Sequence, residues 1–521
     1  MSNRSWKGTI LGSIFLLLSV FYTVMFFQKA EFGDTMIFNI AHLQSLTNIF
    51  TSPINFNYWN HSGSQINLFS PWLTILSGTI FVNSNVTYGF SIYLTLITFL
   101  TFVSAYVYMN RFSHDTLESL LFSLIYTLSL NRFVQVFQVQ RLENYLVLIF
   151  LPMVYYGIYQ VLKNQRWCNL AWGMSLIIWT SPYMAVGVLL TLVPWIILMI
   201  FKSISHHWSY WGRLSLSLLK TFGLVVLTTI GFLVPLGTKL LQGKLQQNPR
   251  NNFNYVKWFD QLHLSQIQQI LLIGIAVLSV LVLIVIFMNS QFSYKLIMLE
   301  MIPLTISLFV KTDSLVVDWS RLVPAFQSIL DLFLAIIFSR IVILIFQEGP
   351  GILKLLLMVA TIGGMSFLIY NQADQIHAEQ RITSASKINY QKYVINYHDR
   401  AVEGQNQFLV NNKKASVSYY TKANDYWIQY YDPQSATMDI PVQKYGGYKI
   451  QLNNENVRTM KSNRGTIELQ TNPGKSIVEI HTQYDWIGII SLLANLLGFI
   501  LLGYLSLTKV VGKNKKISNK S

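Results

Sequence analysis

The chain has 521 residues, of which 52% are hydrophobic and only 12% are charged, whereas about 25% of the residues are charged in a typical soluble domain. Apolar runs of roughly 20 residues, the length that crosses a bilayer, recur along most of the sequence. The composition therefore indicates an integral membrane protein. The net charge of +16 does not imply a nucleic-acid partner, because polytopic membrane proteins concentrate Lys and Arg in the loops that set their orientation.

Cysteine usage and motif content exclude several classes of function. Cys168 is the single cysteine and lies in an apolar run, which excludes a disulfide scaffold and a cysteine-based metal site. The sequence contains no Walker loop and no GxSxG, HExxH or CxxC motif. ATPase, hydrolase and zinc-enzyme functions therefore have no support.

The N-terminal part of the chain is predicted to cross the membrane once and then to form an outer segment. Arg4 and Lys7 precede a span over residues 9–27, and no small-residue cleavage site follows it, which predicts an uncleaved anchor with its N-terminus inside. The outer segment, residues 29–85, begins with acidic residues and continues with helix-period hydrophobicity over residues 36–50. Residues 69–81 are apolar but short, which predicts an interfacial or re-entrant helix.

The alternation of apolar and polar stretches predicts about 12 spans with both termini in the cytoplasm. Residues 131–144 are predicted to be an exposed outer loop. The predicted inner loops and tail are richer in Lys and Arg than the short outer loops, as the positive-inside rule requires. The spans after the first are predicted at residues 86–109, 117–130, 145–162, two short ones on either side of Thr180-Ser181-Pro182, 222–240, 270–288, 297–310, 329–346, 355–370 and 486–507.

Residues 371–485 differ in character from the predicted spans. Runs such as YWIQYY, YKIQL, TIELQ and SIVEIHTQY alternate apolar and polar residues, with turn residues such as Gly446-Gly447 and Asn472-Pro473-Gly474 between them. This pattern predicts an antiparallel β-rich domain. The predicted organisation is a helical membrane domain over residues 1–370, an extracytoplasmic β-rich domain over 371–485, a final transmembrane helix over 486–508 and a basic cytoplasmic tail over 509–521.

The first candidate site is an acidic pair at the outer end of the first span. Glu31 and Asp34 are three residues apart, which places both on one face of a helix. A carboxylate half shielded by lipid could act as a general base or hold a divalent cation, although no cofactor is identified. The alternative is an ordinary helix start, with acids against the positive end of the helix dipole. His42, two turns further on, could assist the acids or simply line the amphipathic face.

The second candidate site consists of cations in the predicted outer loops. Arg141, with Glu143 beside it, is either an interfacial ion pair or a phosphate-binding group, because the planar guanidinium suits phosphate oxygens. Arg321 follows Trp319 and offers the same two interpretations. Arg250 and Lys257, together with Lys311, form either a cationic funnel for an anionic headgroup or a solvated charged rim.

Two acidic residues fall within or near predicted spans. Acids inside a membrane are costly and suggest function by default. Asp331 lies one turn into its predicted helix and could simply cap it, while Glu300 could pair with Lys295. Neither residue is flanked by the interrupted helices that are typical of a transporter site.

Several short segments carry a resemblance to a known family. Asp34 with His42 is similar to an Asp-then-His stretch that follows the first span in the YfhO-type membrane proteins of Gram-positive bacteria. The remaining matching segments are Asn67-Leu68-Phe69-Ser70-Pro71, Gln140-Arg141-Leu142-Glu143 with Phe150-Leu151-Pro152, Trp319-Ser320-Arg321, which lacks the family's proline, and the pattern from Tyr445 to Tyr484 before the last span. The layout also resembles the multi-spanning glycosyltransferases of the GT-C type.

The resemblance implies a GT-C-like helical membrane fold and an activity on the outer face of the bacterial plasma membrane. A sugar would pass from a polyprenyl-phosphate carrier to a cell-wall or teichoic-acid-type acceptor. Asp34 would be the base that deprotonates the acceptor hydroxyl, and Arg141 and Arg321 would hold the lipid phosphate that leaves. The β-rich domain would help to bind the acceptor glycan.

Two other functions are compatible with the sequence. A transporter or flippase of lipid-linked glycans would use the outer cations as a headgroup path, but the sequence shows no internal repeat of the kind that many transporters have. A non-catalytic scaffold for cell-envelope assembly would use the β-rich domain to bind partners. The Asp34→Asn substitution separates these alternatives from the transferase, because only the transferase requires the carboxylate.

Overall fold

The computed structural model describes residues 3–30, 33–83, 85–202, 208–242, 287–288, 290–309, 322–346, 349–374, 407–444 and 447–518. The chain divides into two compact units. The first unit comprises Met1–Glu31, Leu94–Phe222 and Asn251–Glu379, and the second comprises Phe32–Tyr93, Gly223–Arg250 and Gln380–Ser521.

The described residues outside the C-terminal β-rich region are mainly helical. A π-helix, Val134–Val139, follows α7 directly, and Trp59–His61 and Val147–Ile149 are 3₁₀ turns. The α-helices are α1 (Asn3–Lys29), α2 (Asp34–Ser45), α3 (Ile66–Phe69), α4 (Leu76–Val82), α5 (Val86–Ser113), α6 (Thr116–Thr127), α7 (Leu130–Phe133), α8 (Leu142–Leu146), α9 (Leu151–Asn164), α10 (Cys168–Ile178), α11 (Pro182–Lys202), α12 (Trp208–Gln242), α13 (Phe292–Phe309), α14 (Val323–Phe346), α15 (Gly351–Asp374) and α16 (Trp486–Ser518).

The described part of the chain contains seven helices that are long and apolar enough to cross a membrane. The bent pair Leu142–Ile149 and Leu151–Asn164, with a 44° angle, makes an eighth if it is one crossing. These helices identify a multi-pass membrane protein. The seven helices are Gly8–Lys29, Tyr88–Ser113, Thr116–Val139, Ser209–Thr238, Val323–Phe346, Gly351–Asp374 and Trp486–Thr508.

The prediction of about 12 spans is not confirmed. Most of the predicted span over residues 270–288 lies outside the described residues. The apolar helices Cys168–Ile178 and Pro182–Trp195 are shorter than the roughly 20 residues needed for a crossing. Pro182 is the first residue of α11, so the predicted proline break between these two helices is confirmed.

The first unit is built around the helix Thr116–Val139. In this helix 83% of the most apolar 18-residue stretch is buried, whereas only 6% of the corresponding stretch is buried in the helix Gly351–Asp374. Contacts join α6 to α14 and α15, α14 to α11 and α13, and α9 to α10. The helix that contains α6 is therefore enclosed by protein, whereas α15 presents most of its surface outward.

The predicted exposed loop over residues 131–144 is largely buried, so this prediction is wrong. α7 and the π-helix extend α6, and Arg132, Phe133, Val134 and Phe137 are each at most 2% exposed. The backbone turns only at Gln140, where φ is +56°. The polar residues in this stretch suggest a loop. The apolar residues between them are buried in the helical bundle, and Arg132 is buried beside them.

The helical part of the second unit consists of α2–α4, most of α12 and α16. The predicted interfacial helix over residues 69–81 is helical mainly in α4, after α3 has ended at Phe69, and neither short helix is long enough to span. α16 approaches α12 at Gly498, where an added Cβ would lie 2.9 Å from the carbonyl carbon of Leu227. Small residues permit such close helix packing in membranes. α16 continues to Ser518, well beyond the predicted end of the span at residue 508.

The β-rich part of the second unit contains two five-stranded antiparallel sheets. The first sheet has the strand order β2-β1-β5-β9-β8 and the second has the order β3-β4-β10-β6-β7. The strands are β1 (Leu409–Val410), β2 (Lys413–Lys414), β3 (Ser418–Lys422), β4 (Asp425–Asp432), β5 (Ala436–Gln443), β6 (Tyr448–Leu452), β7 (Glu455–Asn456), β8 (Met460–Lys461), β9 (Thr466–Thr471) and β10 (Gly474–Thr482). The predicted antiparallel β-rich domain before the last helix is confirmed.

The two sheets share one hydrophobic core. Ile428 and Val478 of the second sheet and Met438 and Ile467 of the first belong to the same buried cluster, as expected for a sandwich. The sequence pattern did not predict β5, because Pro441 cannot donate a ladder hydrogen bond. The pairing of β5 with β9 shifts register between Ile440 and Gln443, so a bulge accommodates the proline.

Candidate functional site

Two of the three predicted catalytic residues, Asp34 and His42, belong to the second unit. Asp34 is the first residue of α2, and Gly33 before it has the extended backbone of an N-cap residue. An acid in the first turn faces the positive end of the helix dipole, so the position suits a carboxylate. Glu31 lies outside the described residues.

A loop in the same unit, residues 51–63, is hydrogen-bonded along its length to the β-sandwich. The Phe56 N–H donates to the Ala423 carbonyl at 2.8 Å, and the Gln443 N–H donates to the Ser62 carbonyl at 2.8 Å. Ile54 and Phe56 are buried in the sandwich core. The loop is therefore a structural part of the sandwich rather than a separate connection. We call residues 51–63 the docking loop.

Gly63 ends the docking loop in a conformation that requires glycine. Its φ is +64°, and an added Cβ would lie 2.8 Å from Val442 Cγ1 and 3.1 Å from Phe56. The Tyr448 hydroxyl donates to the Gly63 carbonyl at 3.3 Å. A side chain at this position would be strained in the backbone and would also collide with the sandwich.

The docking loop also packs against α2. Trp59 belongs to a small buried cluster with Ala41 of α2 and Ile66 of α3, and its ring lies 5.4 Å from that of Phe38. His42 is 6% exposed and its ring lies 5.8 Å from Phe38. His42 therefore belongs to the buried side of α2. The helix that begins with Asp34 is held by the same loop that enters the sandwich.

Three polar side chains at or just after the end of the docking loop are buried with unsatisfied oxygens. Ser62, Ser64 and Asn67 are at most 5% exposed, and their side-chain Oγ or Oδ1 atoms find no hydrogen-bond partner among the described residues. An unsatisfied buried polar atom is costly and is usually met by water or a ligand. Asn67 belongs to a segment that resembles the YfhO-type family, but nothing in the sequence indicates that these three side chains are buried, since isolated Ser and Asn residues have no distinctive spacing.

The second sheet presents an aromatic face away from the core. Tyr420 of β3 pairs directly with Trp427 of β4, and their rings stack with centroids 5.5 Å apart and planes 25° apart. Tyr420 is 62% exposed and Tyr431 is 69% exposed. Residues 425, 427, 429 and 431 of one strand lie on the same side of the sheet. We call this surface, with Tyr420, Trp427 and Tyr431 on it, the aromatic face.

Hydrogen-bonding side chains flank the aromatic face. Glu479 of β10 pairs with Trp427, and Gln451 of β6 pairs with Glu479 in turn. In the next row His481 Nδ1 lies 2.5 Å from Asp425 Oδ1. Directly paired residues share one side of the sheet, so amide, carboxylate and imidazole groups surround the exposed rings.

The side of the second sheet that faces the core contains a tyrosine of a different kind. Tyr426 is 1% exposed and packs against Phe56 of the docking loop at 5.4 Å. Burial raises the pKa of the Tyr426 phenol above its ordinary value, so it is neutral at physiological pH. Alternate residues of β4 therefore have separate roles: Tyr426 stabilises the core, and Trp427 forms the exposed surface.

In the first unit, Arg132 is the most deeply buried cation of the described residues. It is 0% exposed, its Nη2 donates to Thr98 Oγ1 at 2.9 Å and its Nη1 donates to the Thr127 carbonyl at 3.2 Å. The guanidinium lies 4.7 Å from the centre of the Tyr22 ring. Among the described residues no carboxylate is within 4 Å of Arg132 and its Nε is without an acceptor.

The sequence prediction treated Arg132 as an outer-loop cation and overlooked its burial. The apolar residues Phe133, Val134, Val136 and Phe137 that follow it were the available signal, because a charge in an apolar run suggests an intramembrane site. The adjoining π-helix is a second indication, since such helices occur frequently at functional sites.

The predicted phosphate-binding residues are only partly described. Arg141 precedes α8 and Glu143 lies in its first turn; both are half-buried and both interact with neighbouring groups. The other four predicted residues, Arg321, Trp319, Arg250 and Lys257, lie outside the described residues.

The structure corrects two predicted roles of acidic residues in the first unit. Asp331 lies in the interior of α14 and does not cap it: its Oδ2 accepts a 2.6 Å hydrogen bond from Ser129, the residue before α7. Glu300 is 3% exposed and, among the described residues, does not pair with Lys295 and has no partner at Oε2. Sequence proximity suggested a pair, but α13 directs the two side chains to different surroundings.

A third acid, Glu118, is buried, although its position at the edge of the predicted span over residues 117–130 suggests an inner-loop residue. It is 0% exposed, accepts a 2.7 Å hydrogen bond from the Tyr294 hydroxyl and forms an ion pair with Arg340 at 3.4 Å. α6 begins at Thr116, so Glu118 belongs to the bundle. This network connects α6, α13 and α14.

The described ranges contain no group of three or more His, Cys, Asp or Glu side chains that could hold a metal ion. The chain matches no protein-family model and no curated protein. The functional interpretation therefore depends on the residues themselves.

Proposed function

We propose that the chain is a membrane glycosyltransferase of GT-C-like, YfhO-type character. It would transfer a sugar from a polyprenyl-phosphate carrier to a cell-wall or teichoic-acid-type polymer on the outer face of the bacterial plasma membrane. The aromatic face of the sandwich is the observation that carries this proposal, because it belongs to the same unit as the helix that begins with Asp34.

The aromatic face has the chemistry of a glycan-binding surface. Sugar rings present C–H groups that pack against aromatic rings, and Tyr420, which is 62% exposed, has one ring face turned away from Trp427. Exposed aromatic groups are uncommon on a surface without a binding role. Glu479, Gln451 and Asp425 supply acceptors and amide donors for sugar hydroxyl groups.

The docking loop supports a connection between binding and catalysis. The loop enters the core of the sandwich through Ile54 and Phe56 and contacts α2 through Trp59. A glycan held on the sandwich would therefore be held by the unit that contains the proposed base. Positioning of this kind converts a bimolecular reaction into an effectively unimolecular one.

In the proposed reaction, Asp34 accepts the proton of an acceptor hydroxyl as its oxygen attacks the anomeric carbon of the donor sugar. The bond from that carbon to the lipid phosphate breaks, and the phosphate leaves with the electron pair. Arg141 and Arg321 would stabilise the negative charge that develops on the phosphate. A base of this kind contributes about 10²–10⁴-fold in rate.

The test compares surface glycans by mass spectrometry in a deletion strain complemented with wild type or with one of three variants. Wild type should restore a sugar modification that the deletion loses, whereas Asp34→Asn should not restore it although membrane levels are equal. The double variant Tyr420→Ala/Trp427→Ala should restore it only partly, since each stacking ring contributes about 2- to 10-fold in affinity. Met460→Ala is the matched control, because Met460 is 57% exposed on the other sheet.

Full restoration by Asp34→Asn would exclude this residue as the base. If the double aromatic variant then still failed, the result would support a glycan-binding scaffold without transferase activity. If the lipid carrier crosses the bilayer of proteoliposomes that contain the protein and no sugar is transferred, the result would support the transporter function instead.

A further inference from the structure

The first unit contains a large aromatic cavity that the proposed transfer reaction does not use. Its volume is about 420 Å³, and aromatic side chains make up ten of its twenty lining residues. This volume lies in the range of small-molecule sites, about 300–1,000 Å³. The lining comes from α5, α6, α9, α11, α12, α13 and α14, so the cavity lies among the helices of the bundle.

The interior of the cavity is mainly apolar because four of its five tyrosine hydroxyls have partners in the protein. Tyr155 bonds to Thr191 at 2.7 Å, Tyr156 accepts from Gln160 at 2.8 Å and Tyr210 donates to the Leu162 carbonyl at 2.7 Å. The lining therefore offers mainly ring carbons and aliphatic groups to a ligand. A sugar or a nucleotide would leave its polar groups unpaired in such a space, whereas a hydrocarbon chain would not.

The cavity has a deep end and a cationic rim. Tyr155, Trp195 and Phe333 are buried and pack on one another, with Tyr155 and Phe333 centroids 4.9 Å apart. At the other end, Lys163 and Gln291 are exposed. Lys163 is the only charged residue among the described residues of the lining, and its Nζ donates to the Tyr159 hydroxyl at 2.8 Å.

The rim lies at helix ends that the sequence predicts to be at the inner membrane surface. Lys163 is in the last turn of α9, and Gln291 immediately precedes α13. Arg111, in the last turn of α5, lies 5.4 Å over the ring of the lining residue Tyr108. Cations at this level attract the phosphates of anionic lipids.

We propose that this cavity binds one hydrocarbon chain of an anionic phospholipid, with the chain against the aromatic wall and the lipid phosphate at Lys163. The site does not depend on the proposed transferase function, since it uses neither Asp34 nor the sandwich. Its ligand comes from the bilayer. The described residues of the rim include a cation but no acid, and this charge provides the selectivity for an anionic headgroup.

The test measures lipid binding to the purified full-length chain by native mass spectrometry. The probes are dioleoyl phosphatidylglycerol and dioleoyl phosphatidylcholine, which share the same chains and differ in net charge. Wild type should bind the anionic lipid about fivefold more tightly, and Lys163→Gln should abolish this preference, in line with the effect of one lysine near an anionic lipid. Lys220→Gln is the control, since Lys220 is an exposed cation of α12 that does not line the cavity.

Two cavity-filling variants test the chain-binding part. Leu296→Trp narrows the cavity at its buried wall, and Ser293→Leu adds a larger side chain near the rim. Each variant should weaken the binding of both lipids at least threefold. Equal affinity of wild type for the two lipids, or unchanged binding in both filled variants, would overturn the proposal. Competition by free glycerol phosphate at the same concentration would also overturn it, because the headgroup alone would then bind.

Discussion

Arg132 shows how a single buried charge can be retained against its cost in stability. Its guanidinium meets a hydroxyl, a carbonyl and an aromatic ring, but no carboxylate among the described residues. Burial of a cation without an opposite charge is expensive, and intramembrane charges usually mark a functional pathway. Residues that destabilise a fold and yet persist commonly serve activity.

We predict that Arg132→Met preserves or raises thermal stability but lowers activity. Methionine fills a similar space and removes the desolvated charge. The measurements are the midpoint of thermal unfolding in detergent and the glycan product in complemented cells. Arg213→Met is the control, because Arg213 is an exposed cation of α12. A fall in stability without loss of product would show that Arg132 is only structural.

At the level of elements, a buried ion pair joins a strand of the sandwich to a turn. Asp439 of β5 lies 2.8 Å from Arg464 Nη2, and both side chains are less than 10% exposed. Arg464 also donates to the Gln407 carbonyl at 2.9 Å, and the Thr466 hydroxyl donates to Asp439. These bonds connect β5 to the β8–β9 turn and to the beginning of the domain.

We predict that Asp439→Ala destabilises the sandwich by about 3–5 kcal/mol, since it leaves the Arg464 cation buried without its partner. Asp425→Ala should cost no more than about 1 kcal/mol, because the Asp425–His481 pair is 33% and 45% exposed and solvent screens it. Thermal unfolding and limited proteolysis of the full chain measure both variants. If the two variants lose similar amounts of stability, the difference in burial between the two ion pairs does not determine the cost of removing them.

For the whole molecule, the proposed functions require a particular orientation in the membrane. The aromatic face must be outside for glycan transfer, and the lipid-cavity rim is predicted to be inside. Cys168 is the single cysteine, so Cys168→Ser gives a cysteine-free chain in which new cysteines report on topology.

We predict that Lys461→Cys in this background reacts with a membrane-impermeant maleimide in intact cells and that Asn164→Cys reacts only after permeabilisation. Both positions are exposed, so accessibility within the protein does not distinguish them. The reverse pattern would place the sandwich inside and would exclude the outer-face transferase.

The sequence was sufficient where a local pattern determines the structure. Period-two alternation in YWIQYY and SIVEIHTQY predicted β4 and β10. Helical periodicity predicted α2, and the apolar runs predicted the long spans. Hydrophobic length and alternation reflect backbone geometry and burial, which neighbouring residues alone can specify.

Only the tertiary structure decided which polar residues are buried and which segments act together. Arg132, Glu118 and Asp331 appear on a sequence as loop or cap residues, but their partners Thr98, Arg340 and Ser129 are distant in the chain. The docking loop joins the sandwich across more than 350 residues, as in the Phe56–Ala423 hydrogen bond. A buried polar group needs a hydrogen-bond partner or an opposite charge because no water reaches it. In these cases the partner is distant in the chain, so no local sequence pattern identifies it.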